Sequence, residues 1–311
     1  MHIAQIGTGR VGRPTAYAIM SSGLADTLTV CDVKKGLAAA FAEELKHVTA
    51  STGLDAEIVS CERDEQVSGA DIILVSAGEP RVPGVQMSRR DLALQNARIV
   101  KAVAECTASR NRGAKYIVIS NPVDAMAMVC KKYSKADFVL STGTNLESLR
   151  FRSKVAQTLR VPVGEVKGWV GGEHGDAAIP LWSTVKIEGQ KIEAYLRAKG
   201  IVLAKREIED YVKSVSKLIV DRIGGTEFGP AASFRDIVRA IVKNTGEVLA
   251  FASPMKFRGI SDMVFVSVPA HLGRTIGASL FADLSLKEKE GIEEAAEVIC
   301  ATYHMAIENL E

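Results

Sequence analysis

The sequence is poor in cysteine and in aromatic residues. Its 311 residues include five cysteines, which are widely spaced and form no Cys-x-x-Cys pair, and aromatic residues make up only 5% of the chain. Such spacing predicts reduced, mostly buried thiols, with neither a disulfide framework nor a metal site. None of the cysteines lies in a cationic or glycine-rich turn that would lower a thiol pKa, which argues against a cysteine nucleophile.

Long apolar runs and blocks of like charge are also missing. Lys and Arg number 39 and Asp and Glu 37, a formal net charge of +2 at pH 7, so nothing indicates a nucleic-acid partner. Charged residues interrupt each apolar run before it reaches the roughly 18 residues of a membrane helix. The first residues lack the pattern of a signal peptide. We therefore expect a cytoplasmic protein without a membrane partner.

The first half of the sequence alternates β-rich and helical segments. The predicted strands cover residues 3–6, 28–31, 72–76, 116–120 and 138–141. This rhythm predicts an α/β fold with a doubly wound parallel sheet. The runs at 72–76 and 117–120 are almost continuously apolar, as in strands that are buried on both faces, and we place them at the centre.

From about Asn145 the pattern changes to longer helices and alternating strands. A helix is predicted over residues 204–220, and a capping box formed by Ser285 and Glu288 opens the last helix. We therefore expect two domains, residues 1–144 and an α+β domain over residues 145–311.

A glycine motif, Gly7-Thr-Gly-Arg-Val-Gly, follows the first strand and opens a helix. In a Rossmann fold, these glycines allow the tight turn, the approach of a pyrophosphate and the packing of helix on strand. Asp32 stands twenty residues after the last glycine, where its carboxylate can accept hydrogen bonds from a ribose and repel a 2′-phosphate. The motif predicts NAD contacts from Gly7, Gly9, Arg10, Val11, Gly12 and Asp32.

Two alternatives to this interpretation stay open. Lys34 and Lys35 follow Asp32 and could receive the 2′-phosphate of NADP. The glycine turn could also serve packing alone, with Asp32 capping a loop.

Three arginines, Arg81, Arg89 and Arg90, lie in or just after the loop that follows strand 72–76. Ser88 and Asp91 indicate a helix start, so Arg89 and Arg90 fall in its first turn, where the macrodipole disfavours a cation by up to roughly 1 kcal/mol. Residues that break a local rule tend to mark function. We expect this loop to bind an anionic substrate; a solvated basic loop is the alternative.

Four further residues could carry chemistry. Asn121 follows a buried strand, at the sheet edge where α/β proteins bind ligands. His174 lies in the polar turn Gly-Gly-Glu-His-Gly-Asp and can exchange a proton near neutral pH. Glu147 and Arg150 share one face of a helix start, where Glu147 could orient the imidazole and Arg150 could grip a carboxylate. A turn-forming Asn, an exposed structural His and a surface ion pair are the corresponding structural alternatives.

In this order, the motifs resemble those of the lactate/malate dehydrogenase family, from Gly7 to the C-terminal helix. The resemblance implies that His174 is the proton donor and acceptor and that Arg150 binds the substrate's C1 carboxylate. It also implies that Arg89 closes over the site to polarise the reacting carbonyl. Asn121 would contact that carbonyl and the nicotinamide, and Asn96 would also contact the cofactor.

The resemblance also bears on the substrate. Arg81 falls where malate dehydrogenases carry an arginine and lactate dehydrogenases a glutamine. A buried arginine facing pyruvate's methyl group would be unpaired, whereas oxaloacetate supplies a second carboxylate. We therefore expect a malate dehydrogenase of the tricarboxylic acid cycle, active as a homodimer or homotetramer. A lactate or broad 2-hydroxyacid dehydrogenase and a catalytically silent NAD-binding protein are the alternatives.

The sequence departs from the family pattern at two places. Position 147 is Glu where the family usually has Asp as the partner of the histidine, so the carboxylate lies one methylene further from its backbone. The loop between Pro83 and Arg89 is about two residues longer than usual. Both differences bear on the geometry of the predicted site.

Overall fold

The computed structural model describes residues 1–79, 89–308 and 310, with the backbone alone for Arg89. The first half runs through β1 (His2–Ile6), α1 (Gly12–Ser21), β2 (Thr27–Cys31), α2 (Leu37–Thr52), β3 (Glu57–Cys61), β4 (Ile72–Val75), α3 (Arg89–Ala108), β5 (Lys115–Val118), α4 (Val123–Ser134) and β6 (Val139–Ser141). The second half runs through α5 (Asn145–Leu159), β7 (Val166–Gly172), β8 (Ala178–Ile187), β9 (Gln190–Lys191), α6 (Ile192–Lys199), α7 (Lys205–Ile223), α8 (Phe228–Lys243), β10 (Glu247–Met255), β11 (Val264–Leu272), β12 (Ile276–Ser279) and α9 (Leu286–Ile307).

The first six strands form a parallel sheet in the order β3-β2-β1-β4-β5-β6. This is the doubly wound arrangement, in which the strand order reverses between β1 and β4 and opens a crevice at the carboxyl ends of the strands. The predicted parallel sheet is confirmed. β3 was not predicted from the sequence.

Strand β4 shows why its apolar run is continuous. Ile72 and Leu74 pack into the apolar cluster on one face of the sheet, and Ile73 and Val75 pack into the cluster on the other face. All four side chains are fully buried. Burial of each of these side chains contributes about 1.5–3 kcal/mol to the free energy of unfolding, relative to leaving it exposed. The central position predicted for this strand is confirmed.

The second half continues the same sheet with antiparallel pairs. β6 pairs with β10 at Ser141 and Ala252, and the order then runs β10-β11-β7-β8-β9, with β12 on β11. Strand β10 was not predicted from the sequence. The predicted helix over 204–220 is α7, and the capping box of Ser285 and Glu288 opens α9 as expected. Within the described residues, no helix combines the length and apolarity needed to cross a bilayer.

Candidate active site

A cavity of about 210 Å³ lies between the two halves of the chain. Val11 and Asn121 line it from the first half, and Glu147, Arg150 and His174 line it from the second half. The helix that follows the glycine motif therefore begins at the same cavity as the predicted proton donor. Of the predicted cofactor-binding residues, Val11 and Asn121 thus meet Glu147, Arg150 and His174 at one cavity, whereas the motif glycines and Asp32 are not among its lining residues.

The imidazole of His174 lies against the carboxylate of Glu147. His174 Nδ1 is 3.1 Å from Glu147 Oε2, and Arg150 Nη1 donates to Glu147 Oε1 at 3.3 Å. Glu147 is buried and Arg150 nearly so, whereas the His174 side chain is 28% exposed. The longer Glu side chain thus reaches the imidazole and also holds Arg150, one turn along α5.

The charges of this cluster shift two pKa values in opposite directions. Burial by itself would lower the pKa of His174, but the charge and hydrogen bond of Glu147 outweigh it, and the pKa rises to about 9. Burial would likewise raise the pKa of Glu147, but the imidazolium, its hydrogen bond and Arg150 hold that pKa below its ordinary value. At neutral pH the pair is therefore an imidazolium beside a carboxylate.

Sequence reasoning missed Asp124, which binds the backbone of the turn that carries His174. This buried carboxylate accepts a hydrogen bond from the backbone N–H of His174 at 2.8 Å and one from Ser141 Oγ at 2.6 Å. Burial raises its pKa to about 6, against the effect of those hydrogen bonds. The available signal was an Asp within the otherwise apolar run from Val123 to Cys130, three residues after Asn121.

The three motif glycines have different surroundings. A Cβ at Gly7 would lie 2.5 Å from the backbone nitrogen of Ala77, and one at Gly12 would lie 2.0 Å from the carbonyl oxygen of Gly7. A Cβ at Gly9 would meet no protein atom within 4 Å. Gly7 and Gly12 are thus needed by the fold, whereas Gly9 leaves open the space through which a pyrophosphate would approach.

Asp32 extends this surface at the end of β2. Its Oδ2 accepts from the backbone N–H and hydroxyl of Thr8 at 2.8 and 3.0 Å, and its Oδ1 accepts from the Lys34 backbone N–H at 3.0 Å. These bonds fix the carboxylate beside the glycine motif and leave acceptor capacity for ribose hydroxyls. The open space at Gly9 and the fixed carboxylate fit a dinucleotide.

The side chains of Arg10 and Asn96 form hydrogen bonds to other residues of the protein. The Arg10 guanidinium donates to Glu227 Oε1 at 2.7 Å, across to the second half of the chain. The amide of Asn96 accepts from the Glu79 backbone N–H and donates to the carbonyl oxygen of Asn121. Asn96 therefore fixes the backbone of Asn121, whose own side chain is exposed at the cavity.

The arginine loop lies largely beyond what the structure describes. Arg81 falls outside the described residues, and the side chain of Arg89 does too. α3 begins at Arg89, so Arg89 and Arg90 lie in its first turn as predicted. Arg90 forms an exposed ion pair with Glu308 at 3.1 Å.

Two family models match this chain. The NAD binding domain of lactate/malate dehydrogenase matches residues 1–138, and the alpha/beta C-terminal domain of lactate/malate dehydrogenase matches residues 144–308. The chain belongs to the lactate/malate dehydrogenase family. The cofactor of its first half is therefore NAD, in accord with the surroundings of Gly9 and Asp32.

The relatives of this chain include both malate dehydrogenases and lactate dehydrogenases. A malate dehydrogenase of Sulfolobus acidocaldarius is 38% identical over 309 residues, 99% of this chain and 98% of the relative. An L-lactate dehydrogenase of a Thermoanaerobacter species is 32% identical over 96% of each chain. The crystal structure of the Cryptosporidium parvum malate dehydrogenase superposes with a TM-score of 0.90 at 29% identity, covering 99% of both chains.

Proposed function

We propose that this family member is an NAD-dependent malate dehydrogenase, which interconverts malate and oxaloacetate. The observation that carries the reaction type is the His174–Glu147–Arg150 cluster, which lines the same cavity as the helix start after the glycine motif. The choice of malate is supported by Arg81 and by the 38% identical malate dehydrogenase.

In the proposed mechanism His174 handles the proton. Glu147 binds Nδ1, so Nε2 is the ring nitrogen that exchanges a proton with the substrate oxygen. The raised pKa of about 9 keeps that proton in place at neutral pH for reduction of the keto acid. When bound, the nicotinamide supplies the hydride to substrate C2 or accepts it. Asp124 holds the backbone of the histidine turn in position throughout.

Arginines bind the substrate in this proposal. Arg150 has one nitrogen on Glu147, and its remaining N–H groups can grip the C1 carboxylate as a fork. Arg89 polarises the reacting carbonyl, and Asn121 contacts the same oxygen. Arg81 pairs with the second carboxylate, which malate has and lactate lacks. The rejection of pyruvate then follows from the unpaired guanidinium that it would leave.

The first experiment is the steady-state oxidation of NADH with oxaloacetate and pyruvate side by side, repeated with NADPH. We expect oxaloacetate with NADH to give the highest kcat/KM. A higher kcat/KM for pyruvate would reject malate while leaving the family and the role of His174 intact. A preference for NADPH would reject the role given to Asp32.

The substitution Arg81→Gln tests substrate choice directly. It should lower kcat/KM for oxaloacetate roughly a hundredfold, because the partner of the second carboxylate is lost, and raise kcat/KM for pyruvate, because no unpaired guanidinium would then face its methyl group. Arg90→Gln is the matched control, since Arg90 lies in the first turn of the helix that follows the loop and pairs with Glu308. Equal losses on both substrates would contradict the proposal.

A lactate or broad 2-hydroxyacid dehydrogenase is the second candidate, and the 32% identical L-lactate dehydrogenase favours it. A catalytically silent NAD-binding protein is the third candidate. Measurable turnover that is abolished by His174→Asn would exclude it. The domain limits 1–144 and 145–311, the cytoplasmic location and the place in the tricarboxylic acid cycle stay predictions.

We also propose a homodimer or homotetramer. The end of α7 and the start of α8 expose four large apolar side chains, those of Leu218, Val220, Ile223 and Phe228. Apolar surface of this kind is typical of an interface. Sedimentation equilibrium of the purified chain tests this, and a monomer at micromolar concentration would reject it.

A further inference from the structure

We propose that Asp262, Cys300 and His304 form a binding site for a divalent ion of the zinc type. Cys300 and His304 lie one turn apart on α9, and Asp262 lies in the loop before β11. None of the three lines the cavity of the candidate active site. The sequence alone predicted no metal site, because Asp262 joins the other two only in the folded chain.

The three side chains place their ligand atoms as an ion would require. His304 Nε2 is 2.9 Å from Asp262 Oδ2, and Cys300 Sγ is 3.8 Å from each of these atoms. In a tetrahedral zinc site, bond lengths of about 2.0–2.3 Å separate neighbouring ligand atoms by about 3.3–3.6 Å. Each separation therefore needs to change by only a few tenths of an ångström for one ion to contact all three.

The orientation of the imidazole favours an ion over a catalytic relay. A nucleophilic cysteine would use one ring nitrogen of the histidine, and the carboxylate would hold the other. Here the same atom, His304 Nε2, faces both Cys300 Sγ and Asp262 Oδ2. The three groups converge on one point, as the ligands of a metal do.

The chemistry of the donors selects the class of ion. Thiolate, imidazole and carboxylate together suit Zn²⁺, whereas Ca²⁺ and Mg²⁺ take oxygen ligands. Burial, followed by the charge of Asp262, raises the pKa of the Cys300 thiol, so binding at neutral pH displaces its proton to solvent as the sulfur–metal bond forms. Three protein ligands leave the fourth position to water.

Both segments that supply the ligands, α9 and the loop before β11, have their backbones fixed by hydrogen bonds. The α-helix fixes Cys300 relative to His304, and in the loop Lys256 Nζ donates to the carbonyl oxygen of Ser261, next to Asp262. Ile299 and Thr302, on the other side of α9, line a small pocket with His174 and Asp124. A bound ion would thus tie the loop before β11 to the helix that backs the histidine turn.

The test is a titration of the full-length protein with Co²⁺, followed by competition with Zn²⁺. We expect one Co²⁺ per chain, a thiolate-to-cobalt charge-transfer band in the near ultraviolet, its loss on addition of Zn²⁺, and a higher Tm with Zn²⁺ than with EDTA. Cys300→Ser should abolish the band, and His304→Asn and Asp262→Asn should weaken binding at least tenfold.

Cys106→Ser is the matched control. Cys106 is also a partly buried thiol beside a carboxylate, that of Glu65 at 3.6 Å, but it belongs to no such three-ligand group in the described residues. This variant should keep the band. The absence of the band in the unsubstituted protein would overturn the proposal, and so would its persistence in Cys300→Ser. NADH oxidation by each variant, measured in parallel, shows whether the active site is intact.

Discussion

Glu147 contacts both other members of the His174–Glu147–Arg150 cluster. Its two carboxylate oxygens bind different residues, Oε2 the imidazole of His174 and Oε1 the guanidinium of Arg150. A buried carboxylate between two cations stays ionised and fixes both. Glu at position 147, where the family usually has Asp, is therefore compatible with an intact histidine–carboxylate pair, because the longer side chain still contacts both His174 and Arg150.

The substitution Glu147→Gln should change the pH dependence of keto-acid reduction. In the proposed mechanism, reduction consumes the proton of His174, so its rate should fall as pH rises through the pKa of about 9. Without the carboxylate the pKa returns towards the ordinary value of about 6.5 or below, and the falling limb moves down by about 2.5 pH units or more. The measurement is log kcat/KM against pH.

Glu173→Gln is the control for this profile. Glu173 precedes His174, but its carboxylate accepts from the Ala177 backbone N–H and makes no hydrogen bond to the imidazole. Its profile should match that of the unsubstituted protein. An unchanged falling limb in Glu147→Gln would show that another group sets it.

At the scale of elements, the glycines of the turn between β1 and α1 have separate roles: Gly12 is required for folding, and Gly9 for the proposed binding of the pyrophosphate. Gly9→Ala adds a methyl group in open space, so the Tm should stay the same while NADH binding weakens at least about tenfold, because the methyl group blocks the pyrophosphate. Thermal unfolding and NADH fluorescence titration measure the two effects.

Gly12→Ala is the paired variant with the opposite expectation. Its Cβ would overlap the carbonyl oxygen of Gly7, so the turn must shift, at a cost of about 1–3 kcal/mol in the free energy of unfolding. Equal losses of stability in the two variants would refute the distinction between these glycines.

The elements that sequence reasoning recovered are those with strong local patterns. The run at β4 is apolar because both faces are covered, and the capping box of α9 is local. β3 lies at the edge of the sheet with mostly exposed side chains, so its apolar pattern is weak. β10 contains Pro254 and several small residues, and its strand character comes from nine residue pairs with β11.

The candidate site follows the same rule. His174, Glu147 and Arg150 stand out locally, by a polar turn and by helical spacing. Asp124 carries no such mark, since its importance rests on a hydrogen bond to a residue fifty positions later in the chain. In the Asp262–Cys300–His304 group, only Asp262 is distant in the sequence, and it joins Cys300 and His304 in the folded chain.

At the scale of the whole molecule, an ion pair joins the two halves beside the cavity. Arg10, within the glycine motif, pairs with Glu227, and both side chains are about a third to a half exposed. Such a pair contributes at most about 1 kcal/mol to stability. We expect a larger effect on binding, because Glu227 neutralises a cation of the glycine motif, which is predicted to bind the phosphates of NAD.

The substitution Glu227→Gln should therefore tighten NADH binding a few-fold at low salt, and the gain should vanish at high salt as screening increases. Glu193→Gln, which removes the partner of Lys205 in another exposed pair, should leave the Kd unchanged. NADH fluorescence titration at two ionic strengths measures this. Weaker binding in Glu227→Gln would instead mean that the pair holds the wall of the cavity in place.

The pairing of β6 with β10, at Ser141 and Ala252, bears on how this chain can be divided. A fragment that ends after β6 would leave one edge of the parallel sheet without its neighbour, and a fragment that begins at α5 would do the same to β10. Unpaired edges recruit other strands. Exchanging halves between relatives therefore requires that β6 and β10 be transferred as a matched pair, even though more than a hundred residues separate them in the chain.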